Sequence, residues 1–128
     1  MDRTPTRTRS RMIRLVFTTF ANAEDAARVV RTLVEEKVAA CGTILPGARS
    51  IYRWKDAIED TGESLVLLKT SVERFPDLEM RLRAIHPYET PEIVALDPAA
   101  VSSDYADWVI QCSCGIDGVG GSEGHRKD

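Results

Sequence analysis

The stretch that most limits what this chain can fold into is Leu65-Val66-Leu67-Leu68, an unbroken aliphatic run between Glu63-Ser64 and Lys69-Thr70. Side chains of an extended strand alternate between the two faces of its sheet. Leu65 and Leu67 therefore point one way, and Val66 and Leu68 the other. A strand that is apolar on both sides belongs in a sheet covered front and back. One layer of helices covers one face. The chain offers no obvious element for the second, so the pattern predicts that another copy of the chain supplies the cover.

The hydrophobic period changes several times around that run. Ile13, Leu15 and Phe17 alternate with Arg14, Val16 and Thr18, which predicts a strand. Asn22 followed by Glu24 and Asp25 is a helix start, with a cap and then carboxylates near the positive end of the dipole. Ala26, Val30, Leu33, Val34 and Val38 recur at helical spacing behind it. Cys41–Ile44 reads as extended and is interrupted at Pro46-Gly47. Ser50–Trp54 and Ser64–Thr70 read as a hairpin with turn chemistry at Glu59-Asp60-Thr61-Gly62. Phe75, Leu78, Leu82 and Ile85 mark a second amphipathic helix, with Pro76 near its start and Pro87 ending it. Ile93–Leu96 is a fourth strand. Ser102 or Ser103 opens a last helix with Tyr105, Trp108, Val109 and Cys112 on one face. The order strand–helix–strand–strand–helix–strand is that of an α+β, ferredoxin-like βαββαβ sandwich, here with a C-terminal helix.

A chain of 128 residues, 43% of them apolar, is one domain. Residues 1–11 are polar and basic and read as a disordered arm, 12–112 as the folded body, and 113–128 as a flexible Gly/Ser-rich tail. The net charge of −3 argues against nucleic acid as the main partner. The apolar run Met12–Phe20 contains Arg14 and two threonines and is too short to span a membrane. The expected compartment is the cytoplasm, and three cysteines without a regular framework suit a reducing one. There is no P-loop and no C-x-x-C pair. No nucleophile with a neighbouring base is visible, so the reading is a binding protein and not an enzyme.

Three stretches resemble the CutA divalent-ion tolerance family. They are Leu33-Val34-Glu35-Glu36-Lys37-Val38-Ala39-Ala40-Cys41 running on to Ile44-Leu45-Pro46-Gly47, Ser50-Ile51-Tyr52-Arg53-Trp54-Lys55, and His86-Pro87-Tyr88-Glu89-Thr90-Pro91-Glu92. Val16-Phe17-Thr18-Thr19 and Asp104-Tyr105-Ala106-Asp107-Trp108 also match. The resemblance implies a tight homotrimer similar in outline to the PII signalling proteins, with the long hairpin joining neighbours. It also implies a role in tolerance of copper and other divalent metals. It associates His86 with copper, as imidazole suits copper and zinc. Where some relatives carry a second histidine and a cysteine, this chain has Ile85 and Thr18.

The candidate site is a cleft near a subunit boundary, lined by Lys69, His86, Tyr88 and Glu89, with Trp54 supplying aromatic surface. Its occupant is expected to be a metal ion or a small anionic ligand, the latter attracted by Lys69. Glu89 and Glu92 flank Pro91. Cys112 and Cys114 form a C-x-C pair that can grip a soft metal, whereas Cys41 reads as a small core residue. The alternative function is a structural trimer that recruits a protein partner without binding metal.

Overall fold

The computed structural model describes residues 11–115. Of the arm expected over residues 1–11, residues 1–10 lie outside the described residues, as do residues 116–128 of the tail expected over 113–128. Seven elements follow one another: β1 (Ile13–Phe20), α1 (Ala23–Glu35), β2 (Cys41–Trp54), β3 (Ala57–Ser71), α2 (Phe75–Ile85), β4 (Val94–Leu96) and α3 (Ser103–Cys112). The strands form one antiparallel sheet in the order β2-β3-β1-β4. This is the α+β, ferredoxin-like βαββαβ arrangement with an added C-terminal helix.

Local chemistry sets the helix boundaries. The Asn22 side chain accepts the Asp25 amide at 2.7 Å, with Glu24 and Asp25 in the first turn of α1. α1 stops at Glu35, where Lys37 turns left-handed at φ 61° and the Val38 amide bonds back to the Leu33 carbonyl. Val38 thus enters the core from beyond the helix and not on its face. Pro76 sits in the first turn of α2, where a missing amide costs nothing. His86 ends that helix in an extended conformation, as a residue before proline prefers.

The hairpin differs from the sequence expectation. β2 is one strand of 14 residues, and Pro46-Gly47 falls in a bulge between Leu45 and Ala48 where Gly47 takes φ 82°. The turn is not at Glu59-Asp60-Thr61-Gly62, which is paired strand. It is at Lys55-Asp56, both left-handed (φ 49° and 69°), as a two-residue hairpin loop requires. Propensity pointed to the acidic Gly-containing segment, but register across the hairpin decides.

Val16, Phe20, Val66 and Leu68 lie on the face covered by α1 and α2, packed with Val29, Leu33, Leu78 and Leu82, and all eight are at most 1% exposed. Each such side chain contributes about 1.5–3 kcal/mol by leaving water. The opposite face carries Leu15, Phe17, Leu65 and Leu67, with Leu45, Val94 and Leu96 beside them in register. α3 covers one end of this face, with Ala106 and Val109 against Ile13 and Ala40. The expectation that nothing in the chain covers the second face is corrected to that extent. The rest stays open: Leu45, Val94 and Leu96 are 47%, 45% and 44% exposed.

α1 crosses β2 at Gly42, where an added Cβ would meet a Val30 methyl at 2.7 Å and a Leu68 methyl at 2.9 Å. Gly42→Ala forces apart a packed helix–sheet contact. It is expected to lower stability by about 1–3 kcal/mol, read as a fall in the urea midpoint.

Candidate functional site

The end of β1, the outer half of the β2–β3 hairpin and the segment 87–92 enclose a cleft of about 850 Å³. The hairpin is long because its bulge lets β2 continue to Trp54, which carries Tyr52, Trp54, Glu59 and Glu63 past the end of the core. Pro87 ends α2 and turns the chain so that Tyr88, Glu89 and Glu92 form the facing wall.

One hydrogen-bonded chain fixes that wall to the sheet. The Tyr88 hydroxyl donates to Glu63 Oε2 at 2.6 Å, and Glu63 is 9% exposed. The Tyr88 amide donates to His86 Nδ1 at 3.1 Å. That bond makes Nδ1 an acceptor, so His86 Nε2 is the protonated nitrogen and donates to the Thr19 carbonyl at 2.9 Å. The imidazole also stacks on Phe20, with ring centroids 4.3 Å apart. Burial holds the His86 pKa below its usual value, against the opposing pull of the Thr19 carbonyl and Glu63. Burial first, and then Glu63, push the Tyr88 phenol well above its usual range.

Trp54, Tyr88 and Glu89 therefore line one cleft. Lys69 does not. It lies six residues, about 20 Å, along β3 from Glu63, and its ammonium group donates to Thr43 Oγ1. Among the described residues, the cleft walls carry the carboxylates of Glu59, Glu63, Glu89 and Glu92 and no basic side chain. Among the described lining residues, a small anionic ligand finds no basic partner.

His86, expected as a metal ligand, has both ring nitrogens engaged inside the chain and does not line the cleft. Among the described residues, no group of three or more His, Cys, Asp or Glu is placed to hold a metal ion. This includes Cys112 and Cys114. Cys112 packs with α3 on the cluster of Ile13 and Val109, where burial raises its thiol pKa. Cys41 lies beside Tyr105, its sulfur 3.6 Å from the hydroxyl. Copper in its soft monovalent state prefers sulfur, whereas the cleft offers carboxylate and hydroxyl oxygens, which suit harder divalent ions.

Sequence reasoning missed Glu63 and Glu59 as members of the site. Both lie in strand register opposite Ala48 and Tyr52, and only the position of the hairpin turn, which propensity misplaced, puts them at the cleft.

Fold and cleft together define a small α+β protein of the ferredoxin-like kind, with an acidic, aromatic-walled recess beside an open apolar sheet face. The sequence profile of the CutA1 divalent ion tolerance protein family matches residues 14–112, and the chain belongs to that family. It is 44% identical to the divalent-cation tolerance protein CutA of Thermus thermophilus over 98 residues, covering 77% of this chain and 95% of that one. The solved structure of the Thermus thermophilus protein superposes with a TM-score of 0.76 at 42% identity, covering 80% of this chain and 99% of the other. The CutA1 structure from Ehrlichia chaffeensis gives a TM-score of 0.77 at 35% identity, covering 80% and 95%.

The raised phenol pKa has a measurable consequence. Folding keeps Tyr88 neutral above pH 10, where a free tyrosine ionises. Its contribution is therefore whole below that pH and is lost as pH rises beyond it. Spectrophotometric titration is expected to show Tyr88 ionising late. Tyr88→Phe should abolish the late phase and cost about 1–3 kcal/mol at neutral pH by leaving the buried Glu63 carboxylate short of a donor.

Proposed function

We propose that this protein is a homotrimeric binding protein acting in tolerance of divalent metals, copper among them, and that it takes a small cation in the acidic cleft at a subunit boundary and catalyses no reaction. The observation that carries this reading is the continuity of the cleft with the open sheet face. Thr19 lines the cleft and stands in register with Leu65 and Leu45 on that face. A second copy seated on Leu65, Leu67 and Phe17 borders the cleft of the first.

Burying that face supplies the association free energy, at about 25 cal/mol for each Å² removed from water. The sheet also ends in two unlike edges, a long β2 and a three-residue β4. Unlike edges suit head-to-tail contacts that close into a ring. The number three follows from the likeness to PII-type trimers. The four carboxylates favour a positive ligand, and a neighbour's donors complete a coordination sphere that one chain leaves unfinished. All three cysteines are thiols, which suits the cytoplasm.

Sedimentation of the full chain at micromolar concentration is expected to give a three-chain species. Leu67→Arg, which places a charge in the proposed contact, should give a folded single chain. A wild-type monomer would end the trimer reading. In calorimetry on tag-free protein, Mn²⁺, Zn²⁺ and Cu²⁺ are each titrated. Glu59→Gln with Glu89→Gln is expected to weaken binding about tenfold or more. Binding untouched by those changes but lost in Cys112→Ser, Cys114→Ser would move the metal out of the cleft.

A further inference from the structure

The turn that forms one wall of the cleft is held by a histidine doing the work usually given to asparagine or aspartate. In an Asx turn, the side-chain oxygen of one residue accepts the amide two residues on. Here His86 Nδ1 accepts the Tyr88 amide at 3.1 Å, while Nε2 is anchored on the Thr19 carbonyl at 2.9 Å and the ring is stacked on Phe20. Only one protonation state satisfies both contacts. An imidazolium carries a proton on each nitrogen. It keeps the bond to Thr19, but its second N–H then points at the Tyr88 N–H, donor against donor.

We propose that His86 is a proton-controlled latch on the cleft: neutral, it holds Tyr88 against Glu63 and the wall in place, and protonated, it releases the turn and lets the cation go. This rests on the cleft being the binding site. The charged and titratable groups around the latch are Glu63 from β3, Asp25 from α1, Tyr52 from β2 and Tyr88 itself, while β1 presents the uncharged Thr19 and Phe20. Of these, Glu63 favours the imidazolium and burial opposes it. Burial prevails, so the latch is closed at neutral pH and opens as pH falls below the 6.5 of an ordinary histidine. Release acts on the site through Tyr88, whose phenol spans the gap to Glu63 at 2.6 Å. It also adds a positive charge behind a cation site, so both effects lower affinity in the same direction.

The test uses the full chain labelled with ¹⁵N, followed from pH 7.5 to pH 5. Without any ligand, the imidazole signals of His86 are expected to show the Nε2–H tautomer at pH 7.5. The Tyr88 amide should shift with the same midpoint as the ring. His86→Asn restores an oxygen acceptor that does not titrate, and it should hold the Tyr88 amide unshifted over this range. A His86 ring in the Nδ1–H tautomer, or a Tyr88 shift that persists in His86→Asn, overturns the latch. The ring signals need no variant, so the proposal is decided even if His86→Asn fails to fold.

Mn²⁺ affinity, measured by calorimetry, is expected to fall about tenfold for each pH unit below the midpoint beyond any fall seen in His86→Asn. Equal falls in both proteins overturn the coupling to the cleft. If no Mn²⁺ binds at any pH, the binding reading fails on its own, and the Tyr88 signals still decide the latch.

Discussion

Val66 and Leu68 are fully buried on one side of β3, while Leu65 and Leu67 on the other side are only partly covered. Nearly every other feature of the molecule answers to that asymmetry. The first side is closed by α1 and α2 within the chain, tightly enough that β2 needs a glycine at position 42. The second side is closed by α3 only around Ile13 and Ala40. A helix of ten residues is about 15 Å long and covers one end of the sheet. The remaining rows, Leu96–Leu15 and Val94–Phe17–Leu67, are apolar surface of the kind that soluble proteins keep for partners.

The same geometry places the cleft. β3 runs beyond the core to Ala57, so its inner half belongs to the hydrophobic sheet and its outer half to the recess. Glu63 stands at the changeover. It is nearly buried yet charged, a combination that proteins tolerate only with a good donor. Tyr88 is that donor, and His86 is what places Tyr88. A carboxylate at the edge of the core is thus held by a tyrosine whose backbone is held by a buried imidazole.

Much of the fold is legible in the residues. Asn22, Pro76 and Pro87 mark helix ends by mechanisms that act within a few residues. The two-sided run at 65–68 announces a central strand. What is not legible depends on pairing over distance. Nothing local in Lys55-Asp56 outbids Glu59-Asp60-Thr61-Gly62 as a turn. The choice is made by fourteen residues of β2 finding their register against β3. That misplaced turn hid Glu59 and Glu63 from the site and left Lys69 as its apparent charge. Trp54, Tyr88 and Glu89 could be picked out as site residues because they sit in motifs that resemble a known family. The role of His86 could not, because both its partners are backbone groups, and a sequence does not say where a carbonyl or an amide will lie.

The sign of the cleft follows from where the hairpin puts its charges. Arg49 and Asp60 pair with each other across the strands, at 2.7–2.8 Å, and neutralise one another. Glu59 lies one residue from Asp60 and therefore on the opposite face, and its strand partner Tyr52 cannot neutralise it. Among the described residues, no ion pair joins an arginine of the hairpin to Glu59, Glu63, Glu89 or Glu92, which line the cleft together. On the proposed reading, a neighbouring copy covering the apolar face would lower the dielectric beside those carboxylates and strengthen their attraction for a cation. Assembly and binding would then draw on the same surface, because the open apolar rows run up to Thr19, which also lines the recess.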